Sequence, residues 1–194
     1  MRIIGGEARG RRLFAPRMQG LRPTADLVRE ALFQILTNRI SIPWAEIRVL
    51  DLFAGTGSLG LEALSRGARE SVFVELSKVA LDAIGRNVEA CGFSSRAVAL
   101  KADAGRRCGV ISKLVRQKGP FDIVMADPPY MQGLSQKCLR WVVQEDILSP
   151  CGMLVVEEFK KVELPQVERD HAGSLELVDT RTYGQTRIWF YKRG

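Results

Sequence analysis

Histidine is almost missing from this chain: 194 residues hold a single one, His171. Any Ser-His-Asp or Cys-His scheme would have to use that residue as its base. Its surroundings, Glu168-Arg169-Asp170-His171-Ala172-Gly173, read as a polar loop. Cysteine is sparse too. Cys91, Cys108, Cys138 and Cys151 stand 17, 30 and 13 positions apart, so no C-x-x-C pair exists. With one histidine, no set of zinc ligands assembles from them; reduced, mostly buried thiols and no metal are expected. No apolar run approaches the roughly 18 residues of a membrane span. The start, Met1-Arg2-Ile3-Ile4-Gly5-Gly6, has no apolar stretch of the kind a signal peptide needs. A cytoplasmic protein without a membrane partner is expected. Repeats and low-complexity tracts are lacking as well.

What remains is ordinary for one folded domain: 46% hydrophobic and 26% charged residues. The net charge of +7 is unevenly spread. Residues 1–22 carry Arg2, Arg9, Arg11, Arg12, Arg17 and Arg22 against Glu7 alone, which accounts for five of the seven excess positive charges. Guanidinium groups suit bidentate phosphate contact and stacking on bases. A basic arm on a near-neutral body points to nucleic acid, although a solvated edge has the same composition. The expected organisation is a basic arm over 1–22 and one domain over 23–194. Within the arm, Arg2–Ile4 and Arg11–Phe14 read as short strands joined through Gly5-Gly6 and Gly10, a small hairpin.

Beyond the connector from Pro16 to Pro23, Thr24 suits a helix N-cap, and apolar residues at helical spacing predict a helix over Ala25–Asn38. The pattern then alternates. Strands are expected at Val49–Phe53, Ser71–Val74, Ala97–Leu100, Phe121–Ala126 and Met153–Val156. Helices are expected at Ser58–Arg66 and Ser77–Ala90, and within Gly105–Gln117 and Leu134–Val143. Apolar strands alternating with helices imply an α/β fold with a parallel sheet covered on both faces. Leu175–Thr180 and Thr186–Tyr191 flank a turn and predict an antiparallel hairpin.

Two segments carry chemistry. In Val49-Leu50-Asp51-Leu52-Phe53-Ala54-Gly55-Thr56-Gly57-Ser58-Leu59-Gly60, a strand enters a G-x-G-x-x-G turn and a helix start. Small residues let the backbone approach a ligand there, and Glu75, 20 positions after Gly55, can accept hydrogen bonds from ribose hydroxyls. That pattern alone fits both NAD and S-adenosylmethionine. In Phe121-Asp122-Ile123-Val124-Met125-Ala126-Asp127-Pro128-Pro129-Tyr130, a buried strand runs into two prolines, which fix φ and remove two backbone donors. The rigid turn offers the Asp127 carboxylate, the Pro128 carbonyl and the Tyr130 ring, a set suited to a planar amino group with a ring stacked above it.

The run Asp-Leu-Phe-Ala-Gly-Thr-Gly resembles motif I of class I S-adenosylmethionine-dependent methyltransferases. Asp-Pro-Pro-Tyr resembles motif IV of those acting on amino groups: adenine N6, cytosine N4, guanine N2 or glutamine N5. The opening block, Arg2-Ile3-Ile4-Gly5-Gly6 through Leu21-Arg22-Pro23-Thr24 to Val28-Arg29-Glu30, and Leu61-Glu62-Ala63-Leu64-Ser65-Arg66-Gly67 are similar to the bacterial 16S ribosomal RNA guanine-N2 methyltransferase family. The resemblance implies a Rossmann-like, seven-stranded mixed sheet with one antiparallel strand. It implies S-adenosylmethionine as cofactor, held by Asp51, Phe53, Ala54, Gly55 and Gly57, by Glu75 at the ribose, and by Asp103 and Ala104 at the adenine. Asp127, Pro128 and Tyr130 would be the catalytic set, and Arg2, Arg9, Arg11, Arg12 and Arg22 would meet RNA. The partner would be ribosomal RNA in an assembling or assembled small subunit, and the protein a monomer. A DNA adenine-N6 or protein glutamine-N5 methyltransferase uses the same turn. An NAD-dependent oxidoreductase has only the glycine pattern in its favour, and a non-catalytic RNA-binding module would leave the site residues unused.

Overall fold

The alternating apolar runs become strands almost where their hydrophobicity places them, and the turns between them fall at glycine and proline. The computed structural model describes residues 1–16, 26–106 and 109–194. Arg17, Arg22, Thr24 and Cys108 lie outside the described residues. The chain divides into two compact units, Met1–Ala102 and Asp103–Gly194.

The first unit holds three parallel strands, β1 (Arg48–Leu52), β2 (Glu70–Glu75) and β3 (Ala97–Lys101), in the order β3-β2-β1. Helices α1 (Asp26–Arg39), α2 (Ser58–Ser65) and α3 (Lys78–Cys91) complete it. Every residue of β1 is buried. Leu50, Leu52, Leu61, Leu64, Phe73 and Ile84 form the core, each fully buried apolar side chain contributing about 1.5–3 kcal/mol. Ser77 caps α3 by accepting from the Ala80 N–H. Gly60 is demanded by packing: a β-carbon there would stand 2.3 Å from the Phe73 ring.

The amino-terminal segment departs from the expected pair of strands. One antiparallel bridge joins Arg2 and Arg12, with the Ile3 N–H donating to the Arg11 carbonyl at 2.9 Å. Gly10 N–H donates to the Ile3 carbonyl at 2.9 Å and Leu13 N–H to the Met1 carbonyl at 3.1 Å, but other backbone groups of the segment turn to helices. Ile4 and Gly5 N–H both donate at 2.8 Å to the fully buried Glu62 carboxylate. Ala8 N–H donates to the Ser65 hydroxyl. Asn87 accepts from Phe14 N–H at 2.7 Å and donates back to its carbonyl at 3.0 Å. The fit is tight enough that a β-carbon on Gly6 would sit 1.7 Å from the Ser65 carbonyl oxygen. Side chains with polar ends thus take the backbone groups that a strand ladder would have satisfied.

The second unit holds β4 (Phe121–Ala126), β5 (Leu148–Phe159), β6 (Val167–Asp170), β7 (Gly173–Tyr183) and β8 (Thr186–Arg193) in the order β4-β5-β8-β7-β6, with α4 (Gly109–Lys118) and α5 (Leu134–Gln144). β4 and β5 are parallel; the β5–β8, β8–β7 and β7–β6 pairings are antiparallel. The two units together therefore have eight strands rather than seven, and three antiparallel pairings rather than one antiparallel strand. The added strand is β6, part of the polar stretch expected to be a loop. Its residues alternate between exposed and half-buried, and what holds it is main-chain bonding to β7, which composition does not display. Burial of the thiols also differs from expectation: Cys138 is buried, Cys91 half-buried and Cys151 exposed.

Candidate functional site

In the first unit the carboxyl ends of β1 and β2 bring two acids to the glycine turn. Asp51 is buried on β1, and its carboxylate accepts the Gly60 N–H, in the first turn of α2, at 2.9 Å. Burial pushes its pKa up to about 7; the Gly60 hydrogen bond opposes that shift and the charge of Glu75 adds to it. Glu75 spreads over the turn: one oxygen accepts Gly55 N–H at 2.8 Å, the other Leu76 and Ser77 N–H, also at 2.8 Å. Between the acids, Phe53 holds φ at 59° and leads to buried Ala54. A non-glycine residue costs roughly 1–3 kcal/mol in such a conformation, which persists where the surroundings over-determine it. Gly57, at φ 80°, caps α2. Asn87 donates to the Thr56 carbonyl at 3.0 Å, so the residue that holds Phe14 also holds the turn.

This arrangement has an electrostatic character. A loop before a helix start usually offers its N–H groups to an anion. Here carboxylates of the chain take the N–H groups of Gly55 and Gly60. The site is short of positive charge, and a cationic ligand complements it.

In the second unit, Asp103 accepts Gly105 N–H at 2.9 Å and pairs with Arg106 at 3.3 Å. Ala104 beside it is buried, its carbonyl facing the Cys138 thiol of α5. The Asp127-Pro128-Pro129-Tyr130 turn leaves the carboxyl end of β4, with Pro128 buried, Pro129 exposed and Asp127 and Tyr130 half-buried. The Tyr130 hydroxyl donates to Glu157 at 2.7 Å and lies 2.9 Å from the Thr186 hydroxyl. Its ring packs against Phe159, centroids 6.3 Å apart. Burial, then the charges of Glu157 and Asp127, push the phenol pKa upward. Glu158, fully buried, accepts from Met131 N–H at 3.2 Å and from the Ser135 hydroxyl at 2.6 Å. The two acids of β5 thus fix the turn from below, one through its ring and one through its backbone.

Glu157, Glu158, Thr186 and Asn87 were not legible as site residues. The one available signal was a pair of acids ending an otherwise apolar strand at the sheet edge where ligands of α/β proteins bind. Of the arginines, Arg2, Arg9, Arg11 and Arg12 are exposed. Arg2 pairs with Asp26 at 3.3 Å, while Arg9, Arg11 and Arg12 have no ion pair among the described residues. Arg86 lies over the half-exposed Phe14 ring at 5.0 Å. Arg22 lies outside the described residues. His171 sits in the β6–β7 turn beside Asp170 and is exposed.

Several known proteins are similar to this chain. The Ribosomal RNA small subunit methyltransferase D of Escherichia coli K12 is 36% identical over 195 residues, spanning 100% of this chain and 90% of that protein. A solved E. coli chain described as a candidate methyltransferase superposes with a TM-score of 0.77 at 31% identity, covering 100% of this chain and 97% of the other. An rRNA methyltransferase of Streptomyces viridochromogenes shares the fold, with a TM-score of 0.66 at 14% identity over 92% of this chain and 88% of the other. The expected class I methyltransferase fold is therefore the one observed. The family described as Conserved hypothetical protein 95 matches residues 1–192, and the chain belongs to that family.

Proposed function

We propose that this protein transfers the methyl group of S-adenosylmethionine to the exocyclic N2 of a guanine in small-subunit ribosomal RNA. The observation that carries the proposal is the Asp-Pro-Pro-Tyr turn, with its carboxylate and a ring held by hydrogen bonds to Glu157 and Thr186. A turn so fixed positions an amine instead of adapting to it.

Guanine N2 is a weak nucleophile because its lone pair is delocalised into the ring. When bound, the cofactor supplies a methyl on a positively charged sulfur, a good leaving group. Asp127 and the Pro128 carbonyl accept the two N2–H donors, orient the amine and stabilise the positive charge that grows on nitrogen. Positioning of this kind contributes about 7–11 kcal/mol in favourable cases. Tyr130 stacks on the base, which must first leave its helix at a cost of roughly a few kcal/mol. The exposed Arg9, Arg11 and Arg12, with Arg2 and Arg22, grip the flanking phosphates.

Asp51, Phe53, Ala54, Gly55, Gly57 and Glu75 form the cofactor set in the first unit, Asp103 and Ala104 the adenine contacts in the second. Asp51 and Glu75 fit this cofactor, since they provide negative charge for a sulfonium and an ammonium. They fit NAD poorly: its pyrophosphate needs the N–H groups that Gly55 and Gly60 already give to carboxylates. We place the protein in the cytoplasm, as a monomer acting on assembling or assembled small subunits.

Tritiated methyl transfer to ribosomal RNA, DNA and small ribosomal subunits, with the modified nucleoside identified, tests the proposal. N2-methylguanosine is the expected product. Asp127→Ala should abolish it while calorimetry finds the same affinity for S-adenosylmethionine. Methylated adenine or glutamine, or binding of NAD in place of S-adenosylmethionine, would overturn it.

A further inference from the structure

A second carboxylate, Glu157, stands beside the Asp-Pro-Pro-Tyr turn, and the chemistry above uses it only to hold the Tyr130 ring. In the parallel ladder of β4 and β5, Ala126 pairs with Val156. The next residues along the two chains are Asp127 and Glu157. Neighbouring strands lie roughly 4.8 Å apart, so Asp127 leaves the end of β4 next to Glu157, which stays within β5 and pairs with Ile188 of β8. Glu157 is held in one orientation by the Tyr130 hydroxyl at 2.7 Å, on a strand whose preceding residues Met153–Val156 are all buried. The negative charge of both acids raises the pKa of that phenol, which places all three groups in one electrostatic cluster.

Resting on the proposed reaction, we infer that Glu157 is the residue that selects guanine, its carboxylate accepting the N1–H while Asp127 and the Pro128 carbonyl hold the N2 amine. Guanine alone among the amino-bearing bases presents two kinds of donor side by side on its Watson–Crick edge, N1–H and N2–H. Adenine and cytosine put a lone pair, at N1 and N3, next to their amine. Against a fixed carboxylate that lone pair is repelled, and the contact that guanine's N1–H would make is lost. One acid next to the amine-binding turn therefore separates a guanine enzyme from an adenine or cytosine enzyme built on the same turn.

The test uses the shortest fragment of small-subunit RNA that the wild-type protein methylates, synthesised with either guanosine or 2,6-diaminopurine riboside at the target. The analogue keeps the 2-amine, replaces the N1–H by a lone pair and exchanges the 6-carbonyl for an amine, a change that all the variants meet alike. Wild-type kcat/KM should favour guanosine by roughly 10- to 100-fold, the usual discrimination for one well-made pair of base contacts. In Glu157→Gln the side-chain amide can donate to that lone pair, and the ratio should fall to near unity with cofactor affinity unchanged. Thr186→Val removes the other partner of Tyr130 but leaves Glu157 in place, and it should keep the wild-type ratio. A Glu157→Gln ratio equal to wild type, or the same collapse in Thr186→Val, overturns the inference. Should Glu157→Gln not fold, Glu157→Asp withdraws the carboxylate by one methylene and must lower the ratio several-fold; an unchanged ratio refutes the assignment. A wild-type protein that methylates no guanosine refutes the proposed reaction itself, a different outcome from intact methylation with an indifferent Glu157.

Discussion

Replacing Asp51 with asparagine should make the protein more stable in neutral and basic solution while weakening its hold on S-adenosylmethionine. The Asp51 carboxyl is buried, and that burial, reinforced by Glu75, moves its pKa from 3.8 to about 7. The folded state therefore binds a proton between about pH 4 and pH 7 that the unfolded chain has already released. Stability from this group is present at low pH, falls as pH rises through that window, and is flat above about 7. A shift of about three units at 1.36 kcal/mol each corresponds to about 4 kcal/mol, the cost of ionising Asp51 in its buried place. Asparagine keeps an oxygen for the Gly60 N–H and carries no charge. Its extra N–H₂ lacks an assured partner and gives back about 1–3 kcal/mol. The net gain at pH 8 is thus about 2 kcal/mol, and near pH 4 the variant should be the less stable of the two. Urea unfolding of both proteins from pH 4.5 to 8.5 reads this directly, because titrating groups that do not interact with Asp51 cancel in the difference. A difference that does not change with pH would refute the reasoning. The same shift predicts that S-adenosylmethionine, a cation at this site, binds more tightly as Asp51 ionises. Its affinity should rise from pH 6 to 8 in the wild type and stay level in Asp51→Asn.

Other substitutions separate the remaining roles. Glu75→Ala removes acceptors from the N–H groups of Gly55, Leu76 and Ser77 as well as from a ribose, so cofactor binding by calorimetry should weaken by about 1.5–3 kcal/mol; unchanged affinity would leave Glu75 a purely structural residue. Tyr130→Phe keeps the ring but takes the donor from the buried Glu157 carboxylate. A loss of about 1–3 kcal/mol in stability and a clear drop in methyl transfer are expected, and a variant as active and stable as wild type would show that the hydroxyl does not anchor the ring. Changing Arg9, Arg11 and Arg12 together to alanine should leave the Tm alone and flatten the slope of log affinity against log salt by roughly 2 units, about 0.7 for each phosphate contact; an unchanged slope would make these arginines a solvated edge. Deleting residues 1–16 instead should unfold the first unit, since it strips Ile3 and Leu13 from the core and leaves the buried Glu62 without its two N–H donors.

Most of the strands, and the turns that follow them, could be read from local signals in the sequence. Phe121–Ala126 is apolar but for Asp122 near its start and bounded by Gly119-Pro120 and Pro128-Pro129, so its limits could be read to the residue. Gly55, Gly57 and Gly60 marked a turn and a close approach because few other residues tolerate either. These are local signals: hydrophobic run, fixed φ, missing β-carbon. What required the tertiary structure were contacts between distant residues whose type is unremarkable. Glu62, Asn87 and Glu157 look like ordinary surface residues in a linear reading, yet each is buried with main-chain or hydroxyl donors from 27 to 73 positions away. Likewise the arginine-rich start reads as a free arm because its charges face water. Only folding shows that its backbone is clamped by Glu62, Ser65 and Asn87. β6 became a strand for the same reason: its hydrogen bonds belong to β7, and no property of Val167–Asp170 announces them. Charge and hydropathy are written residue by residue, while the satisfaction of a buried polar group depends on what the fold brings to it.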